Sequence, residues 1–157
     1  MAVEDILESL AETSQFLDEC GMKVWASLLR DQESEIAEAN RDGKPRRIKR
    51  RVKKLKQYFG GMGSLNDLVI SKDNRNLHPR LSEEEADRRL GSLLDQLFMW
   101  CLFWNYDRET ALRTYQQLLQ RYPHELPPAG QARIRQVSDV SAECTHSRWL
   151  VREPNPA

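Results

Sequence analysis

Apolar residues recur at helical spacing along most of this 157-residue chain, and this periodicity limits its fold more than any other feature. The pattern is clearest in the most basic segment, whose apolar residues are Ile48, Val52, Leu55 and Phe59. Successive members of this set lie four, three and four residues apart, so in an α-helix they form one narrow stripe. Similar stripes precede and follow this segment. We therefore expect an all-α protein.

Start and stop signals divide the periodic sequence into about five helices. Gly21 is suited to end the first helix, and Pro45 is suited to begin the third. Ser82 with Glu85 three residues later is a capping box, which predicts the start of the fourth helix. A fifth stripe ends at Pro123, because proline does not continue a helix. The expected architecture is a compact bundle of about five helices.

The length of the chain suits one domain. We expect a single α-helical domain over residues 1–144 and a flexible C-terminal tail over residues 145–157, where few apolar side chains remain. The first ten residues are acidic and lack the basic start of a secretory signal. The longest apolar run, Leu97–Trp104, is far shorter than the roughly 18 residues that span a membrane. These features predict a cytoplasmic protein without a membrane partner.

Charge is strongly segregated along a chain whose 24 basic and 24 acidic residues cancel. Residues 1–40 contain ten acidic and two basic residues, whereas residues 41–56 contain ten basic residues and one acidic residue. The neutral total excludes a protein that attracts nucleic acid through its overall field. It leaves a dense basic segment next to an acidic one.

The basic helix 44–56 is the candidate interaction surface, with Arg46, Arg47, Arg50, Arg51 and Lys54 as its candidate residues. A core helix with a solvated basic side, packed beside the acidic second helix, accounts for the pattern without a partner. A surface that binds nucleic acid or another anionic partner is the functional interpretation. A membrane-surface helix is the least favoured, since the apolar stripe is thin and lacks tryptophan.

A glycine-rich turn follows the third helix. Its candidate motif residues are Gly60, Gly61, Gly63, Ser64, Asn66 and Asp67. Ser64 and Asp67 have the spacing of a capping box at the start of a short helical turn. The next segment, Leu68–Ile70, is predicted to be either a very short strand or a buried plug.

No residue set carries a recognisable chemistry. The three histidines and three cysteines are scattered, without the spacings of a metal or redox site. The glycines follow a helix and precede no Lys-Ser/Thr pair, unlike a phosphate-binding loop. We therefore predict no catalytic, cofactor-binding or metal-binding residues and no cofactor, which favours a non-enzyme. A small-ligand or enzyme site at the Gly60–Asp67 turn remains an alternative, and it requires Ser64, Asn66 and Asp67 to converge on a cavity.

The glycine turn also carries a family resemblance. Residues Phe59–Ile70 (FGGMGSLNDLVI) resemble the hallmark of a bacterial family of small proteins known only as a domain of unknown function. In that family a Trp-Ala-x-x-Leu helix comes first, similar to Trp25–Leu29 here, and a helix with an acidic start follows. The resemblance covers roughly Phe16 to Leu97. It implies a bacterial cytoplasmic protein with an α-helical fold, and it implies no activity, cofactor or catalytic residue.

Taken together, these features favour a non-enzymatic protein that interacts with another protein, of an immunity, antitoxin-like or accessory kind. Small size, segregated charge and the lack of a catalytic set are the reasons, since charge complementarity steers association. The first alternative is a nucleic-acid-binding accessory protein that uses the basic helix 44–56. The second is the ligand or enzyme site at the glycine turn. The sequence does not determine whether the chain forms a homo-oligomer.

Overall fold

Four α-helices make up most of the described chain. The computed structural model describes residues 3–104 together with 113, 116, 117, 120 and 121. The helices are α1 (Val3–Glu19), α2 (Lys23–Arg41), α3 (Pro45–Gln57) and α4 (Glu83–Trp104), and a 3-10 turn, Leu65–Asp67, lies between α3 and α4. These residues belong to one compact unit, Ala2–Glu125. No helix within the described ranges is long and apolar enough to cross a membrane.

The all-α prediction is confirmed, whereas the predicted number of five helices is not. Residues 3–104 contain four α-helices, and the predicted fifth helix lies largely outside the described residues. The predicted tail, residues 145–157, and the domain boundary that precedes it also lie outside them.

The alternative of a short strand at Leu68–Ile70 is wrong. The segment is not a strand in the described structure, and the Ile70 N–H donates instead to the Asp87 carboxylate on α4 at 3.2 Å. The Ile70 side chain is buried, whereas Val69 is half exposed. The segment is therefore a plug, whose buried isoleucine ties the chain after the glycine turn to α4.

Two short loops set the order of the first three helices. Met22 donates its N–H to the Leu17 carbonyl at 2.8 Å after α1, and Lys44 donates to the Ala39 carbonyl at 2.9 Å after α2. Bonds of this kind close a helix end in the Schellman motif. Helices joined by such short loops are antiparallel neighbours.

The four helices form a ring around one core. Both α1 and α3 pack against α2 and against α4, which places α1 and α3 at diagonal corners of the bundle. The predicted stripe of α3 is buried, with Ile48, Val52 and Leu55 at most 4% exposed. The last two turns of α4 are buried on nearly all sides, as expected for a central helix rather than an open apolar patch.

Candidate interaction surface on the third helix

Four of the exposed cationic residues of α3 lie on its outward side, and we call these four, Arg46, Arg50, Lys53 and Lys54, the basic face. Their spacing of i, i+4, i+7 and i+8 places them together, opposite the buried stripe. No carboxylate of another described residue lies within ion-pairing distance of any of them. The basic face is thus unneutralised within the described part of the chain.

Arg47 and Arg51 have a different role, because they flank the buried stripe on the side of α2. Arg47 bonds to Glu38 at 2.7 Å, and Arg51 pairs with Glu35. The side chains of both arginines are only about 30% exposed. The basic third helix therefore packs beside the acidic second helix, and part of the segregated charge cancels across their contact.

The predicted surface residues are consequently divided between two places. Arg46, Arg50 and Lys54 lie together on the outside, while Arg47 and Arg51 lie at the α2–α3 contact. Sequence reasoning did not single out Lys53, although its position seven residues after Arg46 places it on the same side of the helix.

The glycine turn is held by hydrogen bonds of its own polar side chains. The Asp67 carboxylate accepts the Ser64 N–H at 2.9 Å, and the Asn66 amide donates to the Phe59 carbonyl at 2.7 Å. Leu65 is fully buried, and its N–H donates to the Tyr58 carbonyl at 2.9 Å. These hydrogen bonds fold the chain back after α3 and place Leu65 in the core.

Residues 18–78 match a family model described as Domain of unknown function (DUF6966). The matched segment begins at the end of α1 and contains α2, α3 and the glycine turn. The resemblance predicted from the sequence is confirmed at this level. Neither the curated proteins nor the solved structures provide a match to the chain.

Among the described residues, the polar side chains of the glycine turn do not meet at the cavity beside it. A cavity of about 870 Å³ lies between the segment after the turn and α4, and of the three turn residues only Asn66 lines it. The Asn66 amide is already bonded to the Phe59 carbonyl. On the α4 side of this cavity, burial raises the pKa of Asp95. The Arg121 guanidinium, 3.7 Å from the Asp95 carboxylate, partly opposes this rise. Ser64, Asn66 and Asp67 therefore do not converge on this cavity.

His78, at the end of the matched segment, connects the loop before α4 to α1 through two side-chain contacts. Its Nδ1 accepts the Arg80 N–H at 3.1 Å, so Nε2 carries the proton and donates to the Glu19 carboxylate at 2.9 Å. Its ring stacks on Phe16 with a centroid distance of 5.2 Å. Hydrogen bonds from Gln15 and then from His78 hold the pKa of Glu19 below its usual value. These contacts give His78 a structural role.

The two described cysteines are buried core residues. Burial raises the pKa of the Cys20 thiol to about 11 and that of Cys101 to about 12. Thiols with such values are almost fully protonated at neutral pH and are poor nucleophiles. Within the described ranges, no group of three histidine, cysteine or carboxylate side chains has a metal-binding arrangement. The basic face is therefore the strongest candidate for a functional surface.

Proposed function

We propose that this protein is a non-enzymatic interaction protein, of an accessory or antitoxin-like kind, whose basic face binds an acidic surface of another protein. The observation that carries the proposal is the division of cations on α3. Those beside α2 are neutralised by Glu35 and Glu38, whereas Arg46, Arg50, Lys53 and Lys54 have no carboxylate partner among the described residues. Unpaired, clustered charge of one sign steers and selects an oppositely charged partner.

The helix that carries the basic face is already held in place before a partner binds. The helix beneath it is anchored by the buried stripe and by the two ion pairs to α2. A partner that docks on this face meets a backbone that is already ordered, so only the cationic side chains lose freedom on binding.

Nucleic acid is the second candidate, since the same four cations suit phosphate groups. The basic face itself carries no aromatic side chain on which an exposed base would stack. Four cations also limit the number of phosphates that the face neutralises, which keeps such binding weak at physiological salt. An acidic protein surface accordingly fits the face better than a nucleic acid strand.

Fluorescence anisotropy with two labelled probes tests this proposal on the full chain. One probe is a helical peptide with glutamate at every fourth position, and the other is a short duplex DNA. The neutralised variant replaces all four residues of the basic face by glutamine. The control variant removes four exposed cations elsewhere, K72Q/R75Q/R80Q/R88Q. Circular dichroism verifies that both variants are folded.

We expect the peptide to bind the native chain and the control variant, and to bind the neutralised variant at least about tenfold more weakly. Binding should fall with added salt, because the contacts are exposed charges. Preference for the duplex would replace the proposal by the nucleic-acid alternative. Absence of peptide binding at low salt, or equal loss in both variants, would overturn it.

A further inference from the structure

The first helix has an acidic face that is built like the basic face of α3. Glu4, Glu8 and Glu12 lie at i, i+4 and i+8 and are all exposed. The opposite side of α1 is buried in the core through Ile6 and Leu10. We call Glu4, Glu8 and Glu12 the acidic face.

The acidic face is largely unneutralised in the described structure. Glu4 and Glu8 have no ion-pair partner among the described residues. Glu12 lies 3.9 Å from Arg89 of α4, at the outer limit of an ion pair, and its side chain is 46% exposed. Glu4 and Glu8 are therefore available to a cationic partner, and Glu12 beside them is held only by a long ion pair.

The two faces match in spacing as well as in charge. Arg46, Arg50 and Lys54 are also at i, i+4 and i+8, so each set spans about 12 Å along its helix axis. Each set also lies directly opposite the buried side of its helix. Two such helices laid side by side bring three cations opposite three carboxylates.

One molecule does not make this contact with itself. α1 and α3 lie at diagonal corners of the ring, since each packs against α2 and α4, and their outward faces are turned away from each other. The acidic face that fits the basic face is therefore found on a second copy. The zero net charge of the chain removes the long-range repulsion that would oppose such an encounter.

We propose that the chain associates with itself head to tail, with the basic face of one copy docked on the acidic face of the next. This inference rests on the proposed function, because it uses the same basic face and names its acidic partner as another copy of the chain. Docking leaves one acidic and one basic face uncovered in every pair. Such a heterologous contact does not close at two copies and continues as more chain is added.

The association should be weak and sensitive to salt. Each contact joins exposed side chains, and exposed ion pairs contribute little and are screened by salt. Sedimentation velocity over a range of protein concentrations at about 0.01 M and about 1 M salt is the suitable measurement. At low salt we expect the average mass to rise continuously with concentration above the 18.3 kDa of one chain. At high salt it should return to one chain.

Charge reversal provides matched controls. The E4K/E8K and R46E/R50E variants should each remain monomeric at low salt, because the two reversed residues of each variant meet residues of like charge on the next copy. An equimolar mixture of the two should associate, since the native basic face of E4K/E8K then meets the native acidic face of R46E/R50E. Circular dichroism checks that every variant is folded.

The outcomes separate this inference from the proposed function. If the native chain remains monomeric while the acidic peptide binds the basic face, self-association is refuted and the proposed function stands. If peptide binding fails, the proposed function is overturned irrespective of self-association. Association that stops at two copies, or that survives in both single-face variants, would refute the head-to-tail contact.

Discussion

Alanine substitutions in the glycine turn should have unequal effects, because only some of its glycines have a left-handed backbone. Gly61 has φ of +93° and Gly63 has φ of +75°, whereas Gly60 lies outside that region. An L-residue pays about 1–2 kcal/mol in the left-handed conformation. Alanine also restricts the unfolded chain more than glycine does, which stabilises the folded state by about 0.4–1 kcal/mol and offsets part of this cost. A methyl group at any of the three positions meets no atom within 4 Å, so no steric clash adds to the balance.

The expected result is a loss of about 1 kcal/mol in the free energy of unfolding for G61A and for G63A. G60A should be neutral or stabilising by about 0.5 kcal/mol. G61N should cost less than G61A, because asparagine tolerates the left-handed region better than alanine. Urea unfolding followed by circular dichroism measures all four differences. If G60A destabilises as much as G61A, the backbone argument is wrong and the turn requires glycine for another reason.

Two further predictions concern titrating groups. Hydrogen bonds from Arg30 and Lys44 lower the pKa of Asp18 and Asp42, respectively, in the folded state. Their stabilising contribution is present above the unfolded value near 3.8 and is lost as pH falls through the lower folded values. Melting temperatures should therefore fall more steeply below about pH 4 in the native chain than in D18N/D42N, and equal slopes would contradict this. In a C144S background, a disulfide reagent at neutral pH should label neither Cys20 nor Cys101 until denaturant is added. Rapid labelling of the folded chain would show that these thiols are accessible to solvent and would contradict the prediction.

Helix positions were predictable from sequence because their signals are local. The fourth helix begins at Glu83, directly after Ser82, whose hydroxyl and N–H both donate to the Glu85 carboxylate. The stripe on α3 is buried as its period required. Leu68–Ile70 was ambiguous because three apolar residues do not distinguish a strand from a plug. The hydrogen bond from the Ile70 N–H to the Asp87 carboxylate distinguishes them, and Asp87 lies 17 residues later in the sequence, on α4.

The division of the basic segment was not predictable for a geometric reason. Periodicity gives the angle of each side chain from the buried stripe, so it separates Arg50 from Ile48. It does not tell which flank of the stripe faces the acidic helix, since that depends on the order of the helices around the core. Arg47 and Arg51 lie on the flank toward α2, and this order is a tertiary property.

The outward cations of α3 are difficult to explain as contributors to stability. Arg46, Arg50 and Lys54 are like charges four residues apart, and each such pair destabilises a helix by about 0.2–0.5 kcal/mol. Neutral glutamine has a similar helix propensity and would avoid this repulsion. The ion pairs that hold α3 on α2 use Arg47 and Arg51 instead. α3 therefore keeps repulsive charges on the side opposite its packing contacts, where they lower its stability. Residues that lower stability locally in this way are typical of a binding site.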